Sequence, residues 1–235
     1  HLVNGDPGDL RRQAQTGGLA GVSGTLAHPL PLPFPAAILA GLGWRFDAAG
    51  QSEEAIDRQG RPWRVDRDLS ARVHGMHAYL GMRMQPWRWL EILPSVRGDL
   101  LAYRVDDRLQ AREAGRVLGA VSPRVAMALP AHDRVTLFAD YGRGFRTPEP
   151  RAITAPADGT VEDAALARYR GGRPAIAMAD AAEVGLEVRA PGATAFRLTG
   201  FGTWIAREIV FDHVSNTNLE QNGTRRLGIE ASVAA

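Results

Sequence analysis

The chain has 235 residues and no cysteine, with 28 basic residues against 26 acidic ones for a net charge of +2. That composition excludes disulfides, zinc–thiolate sites and thiol nucleophiles. Every basic residue is arginine and the arginines are interspersed with acids, which argues against nucleic acid as a partner because a binder concentrates its positive charge in a patch. No stretch approaches the roughly 18 consecutive apolar residues that mark a transmembrane helix, which argues against an α-helical membrane protein.

In chain order, β-like runs at 10–27 and 36–47 flank the compact proline-rich turn His28-Pro29-Leu30-Pro31-Leu32-Pro33-Phe34-Pro35. A polar connection over 48–67 follows, then strands at 68–84 and 89–104 joined at Gln85-Pro86-Trp87-Arg88. A second polar connection, 105–116, leads to strands at 117–129 and 134–145 meeting at Pro130-Ala131-His132-Asp133. The longest connection is 146–174; strands at 175–189 and 194–211 then meet at Ala190-Pro191-Gly192-Ala193, and a last strand follows residues 212–216. This gives about nine strands with short and long connections in alternation. An up-and-down transmembrane barrel with short periplasmic turns and long extracellular loops predicts that rhythm, whereas a sandwich mixes hairpins with crossovers.

The alternation inside the strands has the same implication. Leu90, Ile92, Val96 and Leu100 share one face, while Glu91, Ser95, Arg97 and Asp99 share the other. Val184, Leu186 and Val188 oppose Glu183, Glu187 and Arg189; Leu227, Ile229, Ala231 and Val233 oppose Arg226, Glu230 and Ser232. An arginine on the lipid face at mid-bilayer costs about 2–4 kcal/mol. Glu91, Arg97, Asp99, Glu183, Glu187 and Glu230 are therefore assigned to the lumen. Trp87 and Trp89 at a short turn, and Tyr141 and Phe145 at the mouth of a long loop, fall where interfacial girdles belong.

The segment Asp140-Tyr141-Gly142-Arg143-Gly144-Phe145-Arg146-Thr147-Pro148-Glu149, preceded by Ser122-Pro123-Arg124-Val125, resembles the barrel of TonB-dependent outer-membrane receptors. The runs 201–212 and 222–230 resemble the family's next landmarks in the same order. The resemblance implies an outer-membrane location and energy-coupled uptake of a scarce solute, such as an iron chelate or a cobalamin-like compound. It further implies a TonB-type inner-membrane partner acting through a plug domain, contact with outer-membrane lipid, and no enzymatic role. A closed barrel of this kind has 22 strands. The chain, which opens on His1 and ends within a strand at 231–235, therefore reads as one part of the barrel over 1–235 with no plug domain.

Candidate sites are few. Arg143, Arg146 and Glu149 open the longest loop and could contact a carboxylate-rich ligand, although a solvated rim accounts for them more simply. His74 and His77 are three apart, so on a strand they point to opposite faces and cannot share a metal. No nucleophile elbow or phosphate loop is present, and neither catalytic residues nor a cofactor are expected. The competing readings are a passive porin-like barrel and a soluble β-rich binding module.

Overall fold

The structure, a computed structural model, describes residues 10–109, 111–148, 150, 153, 176–190, 194–212 and 217–234. Nine strands follow one another as β1 (Leu10–Pro29), β2 (Ala36–Ile56), β3 (Pro62–Trp87), β4 (Leu90–Asp107), β5 (Arg112–His132), β6 (Val135–Arg146), β7 (Ala177–Arg189), β8 (Ala195–Asp212) and β9 (Thr217–Ala234). They form one antiparallel up-and-down sheet in sequence order, β1 to β9, and the sheet is not closed on itself. No helix among the described residues is long and apolar enough to cross a membrane, a fact that leaves crossing by strands untouched.

Register fixes which residues share a face, because directly opposed residues point the same way. Leu42, Met76 and Val96 belong to one face, as do Val121, Leu137, Val184, Leu198 and Ile229, through the pairings Leu42↔Ala78, Met76↔Leu100, Leu80↔Val96, Gly98↔Val121, Leu129↔Leu137, Ala139↔Val184, Leu186↔Leu198 and Gly200↔Ile229. These side chains are widely exposed, Val184 at 64% and Ile229 at 80%. A continuous apolar sheet face with no covering layer is a lipid-facing surface. On β4 it runs from Leu90 to Ala102 before meeting Arg104. Roughly 13 residues rising about 3.3 Å each and tilted ~40° give a height near 30 Å, close to the ~25 Å apolar band of membrane barrels.

Aromatic rings mark both borders of that band. Trp87 and Trp89 stack across the β3–β4 turn with centroids 5.4 Å apart; the ladder shift between Met84 and Trp87 turns Trp87 onto the lipid face. At the other border Trp44, Phe46 and His74 cluster, with the Phe46 and His74 rings 4.8 Å apart.

Beyond this outer border the two faces exchange character. The outward row becomes polar, with Ser52 and Glu54 on β2, Ser70 and Arg72 on β3, and Asp106 on β4. The inward row gathers the molecule's small core, Ala71, Tyr103, Val105 and Ile153, with Val73, Leu101, Ala114 and Leu118 packed against it.

The strand ends therefore differ from the sequence expectation. Residues 48–56 and 62–67 continue the β2–β3 ladder, and 105–107 pair with 112–114 on β5. Only the turn 57–61 closes the first excursion. There the Asp57 carboxylate accepts the backbone N–H groups of Gln59 (2.9 Å) and Arg61 (2.8 Å), and Gly60 takes a positive φ of 77°, the left-handed conformation that glycine allows most easily. The long polar excursions are present, but they stand up as hairpin arms.

The arms are tied at the top by charge. Glu53 on β2 is 1% exposed and lies between Arg11 of β1 (2.8 Å) and Arg67 of β3 (3.1 Å). One carboxylate thus joins three strands.

A last feature belongs to the inward face. Several of its glycines lie beneath a ring from the neighbouring strand: Gly41 under Tyr79, Gly43 under His77, Gly185 under Phe138 and Gly228 under Phe201. A Cβ at any of these positions would collide with the ring. The rings therefore lie flat along the wall, sealing backbone that the glycines leave bare.

Candidate functional site

The inward face within the band carries paired charge. Arg97 and Asp99, two apart on β4, meet at 2.7 Å, and Arg45 and Asp47 on β2 do the same at 2.7 Å. Arg83 of β3 reaches Glu91 of β4 at 3.4 Å. From β5, Arg124 donates two hydrogen bonds to Asp140 of β6, at 2.7 and 3.0 Å. Asp140 stands opposite Glu183 of β7, so two carboxylates share the neighbourhood of one guanidinium. Arg189 pairs with Glu187 at 2.9 Å, and the Arg197 guanidinium lies 4.1 Å over the Phe138 ring. Arg124, Asp140, Glu183, Glu187, Arg189 and Arg197 together border an open concavity of about 360 Å³ on this wall.

The six residues assigned to the lumen all lie on this face. Glu91, Arg97 and Asp99 are out of phase with the apolar row of β4, Glu183 and Glu187 with that of β7, and Glu230 opposes Thr199 across β8–β9.

The loop candidates separate. Arg146, opposite Ala177, is on the inward face at the mouth. Arg143 is on the outward face, opposite Asp180, and donates from Nε and Nη2 to that carboxylate at 2.8 and 3.1 Å. Tyr141 donates its hydroxyl to the same Asp180 at 2.6 Å. Two charges on the outward face are thereby neutralised locally, which is the condition for keeping them beside lipid. Glu149 lies outside the described residues. His74 and His77 lie on opposite faces, His74 against Phe46 and His77 over Gly43.

Sequence reasoning missed the mouth core. Tyr103, 6% exposed, directs its hydroxyl toward the Pro148 carbonyl at 3.5 Å, and Ile153 packs with Ala71, Tyr103 and Val105. Pro148 and Ile153 thus lie against the inner face of β3 and β4. The available signal was Leu69, Ala71, Val73 and Leu101, Tyr103, Val105, two apolar rows in the opposite phase to the lipid row.

Residues 3–235 match the family model described as TonB dependent receptor-like, beta-barrel. The chain belongs to this family. TonB-dependent receptors are transporters of the Gram-negative outer membrane and not enzymes. Among solved structures, the chain is similar to the unliganded ferric citrate transporter FecA, with a TM-score of 0.77 and 14% identity over 95% of this chain and 32% of that one. It is also similar to the ferric-catecholate import receptor Fiu of E. coli (TM-score 0.71, 11% identity, 94% of this chain and 36% of that one). A third is BauA, the ferric preacinetobactin receptor from Acinetobacter baumannii (TM-score 0.70, 13% identity, 95% and 34%). The chain spans about a third of the length of these structures. No curated protein sequence matches it.

Proposed function

We propose that the protein to which this wall belongs takes up a scarce solute across the outer membrane, a ferric chelate being the best-supported class. Uptake is driven by a TonB-type inner-membrane partner acting through a plug domain that is not part of 1–235. The observation that carries this reading is the family match along nearly the whole chain, on a sheet whose apolar face suits lipid and whose opposite face holds ordered ion pairs. The solute class is supported by the relatives, a ferric citrate transporter and receptors for ferric catecholate and ferric preacinetobactin.

Within this chain the paired charges of the inward wall would seat the plug. Arg146, inward at the mouth, would contact an anionic chelate, since arginine grips carboxylates through two parallel hydrogen bonds. Arg143 is engaged by Asp180 on the other face and is given no such role.

The test is growth of a strain lacking its own iron-uptake receptors and expressing this receptor in full. Ferric citrate, a ferric catecholate and a ferric hydroxamate are each supplied as sole iron source, with and without the TonB-type protein. Growth on one chelate that disappears without the coupling protein supports the reading. Growth that persists without it points to a passive pore, and no growth on any chelate removes the iron assignment.

A further inference from the structure

Charge is divided unevenly over the inward face. On β1 that face carries Gly17, Leu19, Gly21, Ser23, Thr25 and Ala27, placed there by the register with β2. None is charged, and only Leu19 is larger than threonine. The ten steps from Gly17 to Ala27, at about 3.3 Å each and tilted ~40°, carry this uncharged row through roughly 25 Å. It runs from the inner end of the strand past the level of Trp44, which stands opposite Val22.

The neighbouring strands extend the same surface. β2 adds Leu39, Gly41 and Gly43. Its uncharged stretch ends at Arg45 and Asp47, which satisfy each other along one strand through hydrogen bonds of 2.8 and 2.7 Å. β3 lays Tyr79 over Gly41 and His77 over Gly43, so its rings add little relief. At the inner end the surface opens into a concavity of about 740 Å³. Ala37, Arg83 and Glu91 border it, with Leu30, Leu32 and Phe34 of the β1–β2 turn.

From β4 to β9 every strand puts charge on the inward face. Asp99, Arg124, Asp140, Glu183, Arg197 and Glu230 represent the six strands in order. Glu183 and Glu230 have no ion-pair partner among the described residues. A domain seated on this wall finds charge to pair with, and each charge-assisted contact holds it in place. Against β1 and β2 it meets small uncharged side chains, which offer no contact of that kind.

We propose that the solute passes along the β1–β2 side of the lumen, between this smooth wall and the plug. The inference rests on the uptake reading above. The plug stays on the charged wall while the neutral side parts, because parting there breaks no ion pair with β1 or with β2 inside Arg45. The concavity beside the Leu30–Phe34 turn is where the passage reaches the periplasm.

The chain has no cysteine, so one introduced thiol reports one position in it. The full receptor carrying Ser23→Cys on the smooth wall, or Ser232→Cys beside Arg197 on the charged wall, is expressed in the strain of the growth test. A membrane-impermeant maleimide is added with ferric citrate, the ferric catecholate and the ferric hydroxamate in turn, and uptake of radioactive iron is followed in the same cells. Labelling follows the population of the opened state. With a chelate that is taken up and the coupling protein present, Ser23→Cys should label about tenfold faster and Ser232→Cys less than about twofold faster. Equal acceleration at the two positions overturns the proposal, as does an unchanged Ser23→Cys while iron enters. Ser23→Trp, which stands a ring on the smooth wall, should slow uptake and leave chelate binding unchanged; uptake at the parent's rate overturns the proposal as well. If the parent receptor takes up none of the three chelates, the uptake reading itself fails and this inference falls with it.

Discussion

The part of the sheet inside the apolar band and the part standing above it are built from the same strands, yet their faces carry opposite chemistry. Inside the band, β4 presents Ile92, Val96 and Leu100 outward and Glu91, Arg97 and Asp99 inward. Above it, the same strand presents Arg104 and Asp106 outward and buries Tyr103 and Val105 inward. The ladder is uninterrupted across the change, so backbone pairing does not depend on which face is apolar. What changes is the solvent on each side. Lipid requires an apolar outer face, whereas above the bilayer the outer face meets water and the inner face packs on Ile153.

This exchange also accounts for how much could be read in advance. Strand order, antiparallel pairing and the faces of β4, β7 and β9 were legible, because period-2 alternation is strong wherever one side is lipid. The strand ends were not. Where the apolar row passes from Leu100 and Ala102 to Tyr103 and Val105 the alternation slips by one, and a slip in phase looks like the end of a strand. Residues 48–67 and 105–116 accordingly read as loops. The site was legible only in part. The phase of each strand separates its charged row from its apolar row, but Arg143 sits one position off the charged row, and nothing local reveals that Asp180, 37 residues later, lies beside it. Glu53 was invisible for the same reason: its partners Arg11 and Arg67 become neighbours only once the register across β1–β3 is known.

The largest expected effect breaks the comparison on its lipid side. Leu80→Arg places a charge at an outward position in the band, 57% exposed in the sheet. It should destabilise the refolded receptor by about 2–4 kcal/mol, read as a shift in the urea midpoint in micelles.

Next is Glu53→Ala, which leaves Arg11 and Arg67 facing each other across a vacated position. A cost of about 2–3 kcal/mol is expected, below the usual range for a broken buried pair because Arg11 keeps 37% of its side chain in solvent. The loss should be local, appearing as faster amide exchange at the top of β1–β3 with the band unchanged.

The same carboxylate gives a pH signature outside the membrane. Burial by itself would raise the Glu53 carboxyl, but the hydrogen bond from Arg11 and the charges of Arg67 and Arg11 outweigh it, leaving it below the ordinary carboxylate range. A carboxyl lowered in the folded state contributes stability that is full above its unfolded value and lost as pH falls through the folded one. The protection of amides in the upper arms, taken relative to their intrinsic exchange rates at each pH, should therefore hold steady through neutral and mildly acidic pH and fall only in stronger acid. That acid step should be missing in Glu53→Ala.

Val105→Ala, at a fully buried position of the mouth core, should cost roughly 1–2 kcal/mol and loosen the packing of Ile153, detectable as faster proteolysis after β6. Smallest of all, Ser70→Arg adds a charge on the same outward face as Leu80 but above the band, and should shift stability by less than about 0.5 kcal/mol. A cost approaching that of Leu80→Arg would show that the lipid border lies higher than the aromatic cluster implies.

The glycines covered by rings bear on how smooth the charged face of the sheet is. Tyr79, His77, Phe138 and Phe201 lie along the wall over Gly41, Gly43, Gly185 and Gly228, so the aromatic groups act as a lining and not as spokes. The relief of the face at those heights is consequently set by the path of the backbone. Replacing one of these glycines would lift its ring off the wall and roughen the surface, with no change in the strand pairing beneath it.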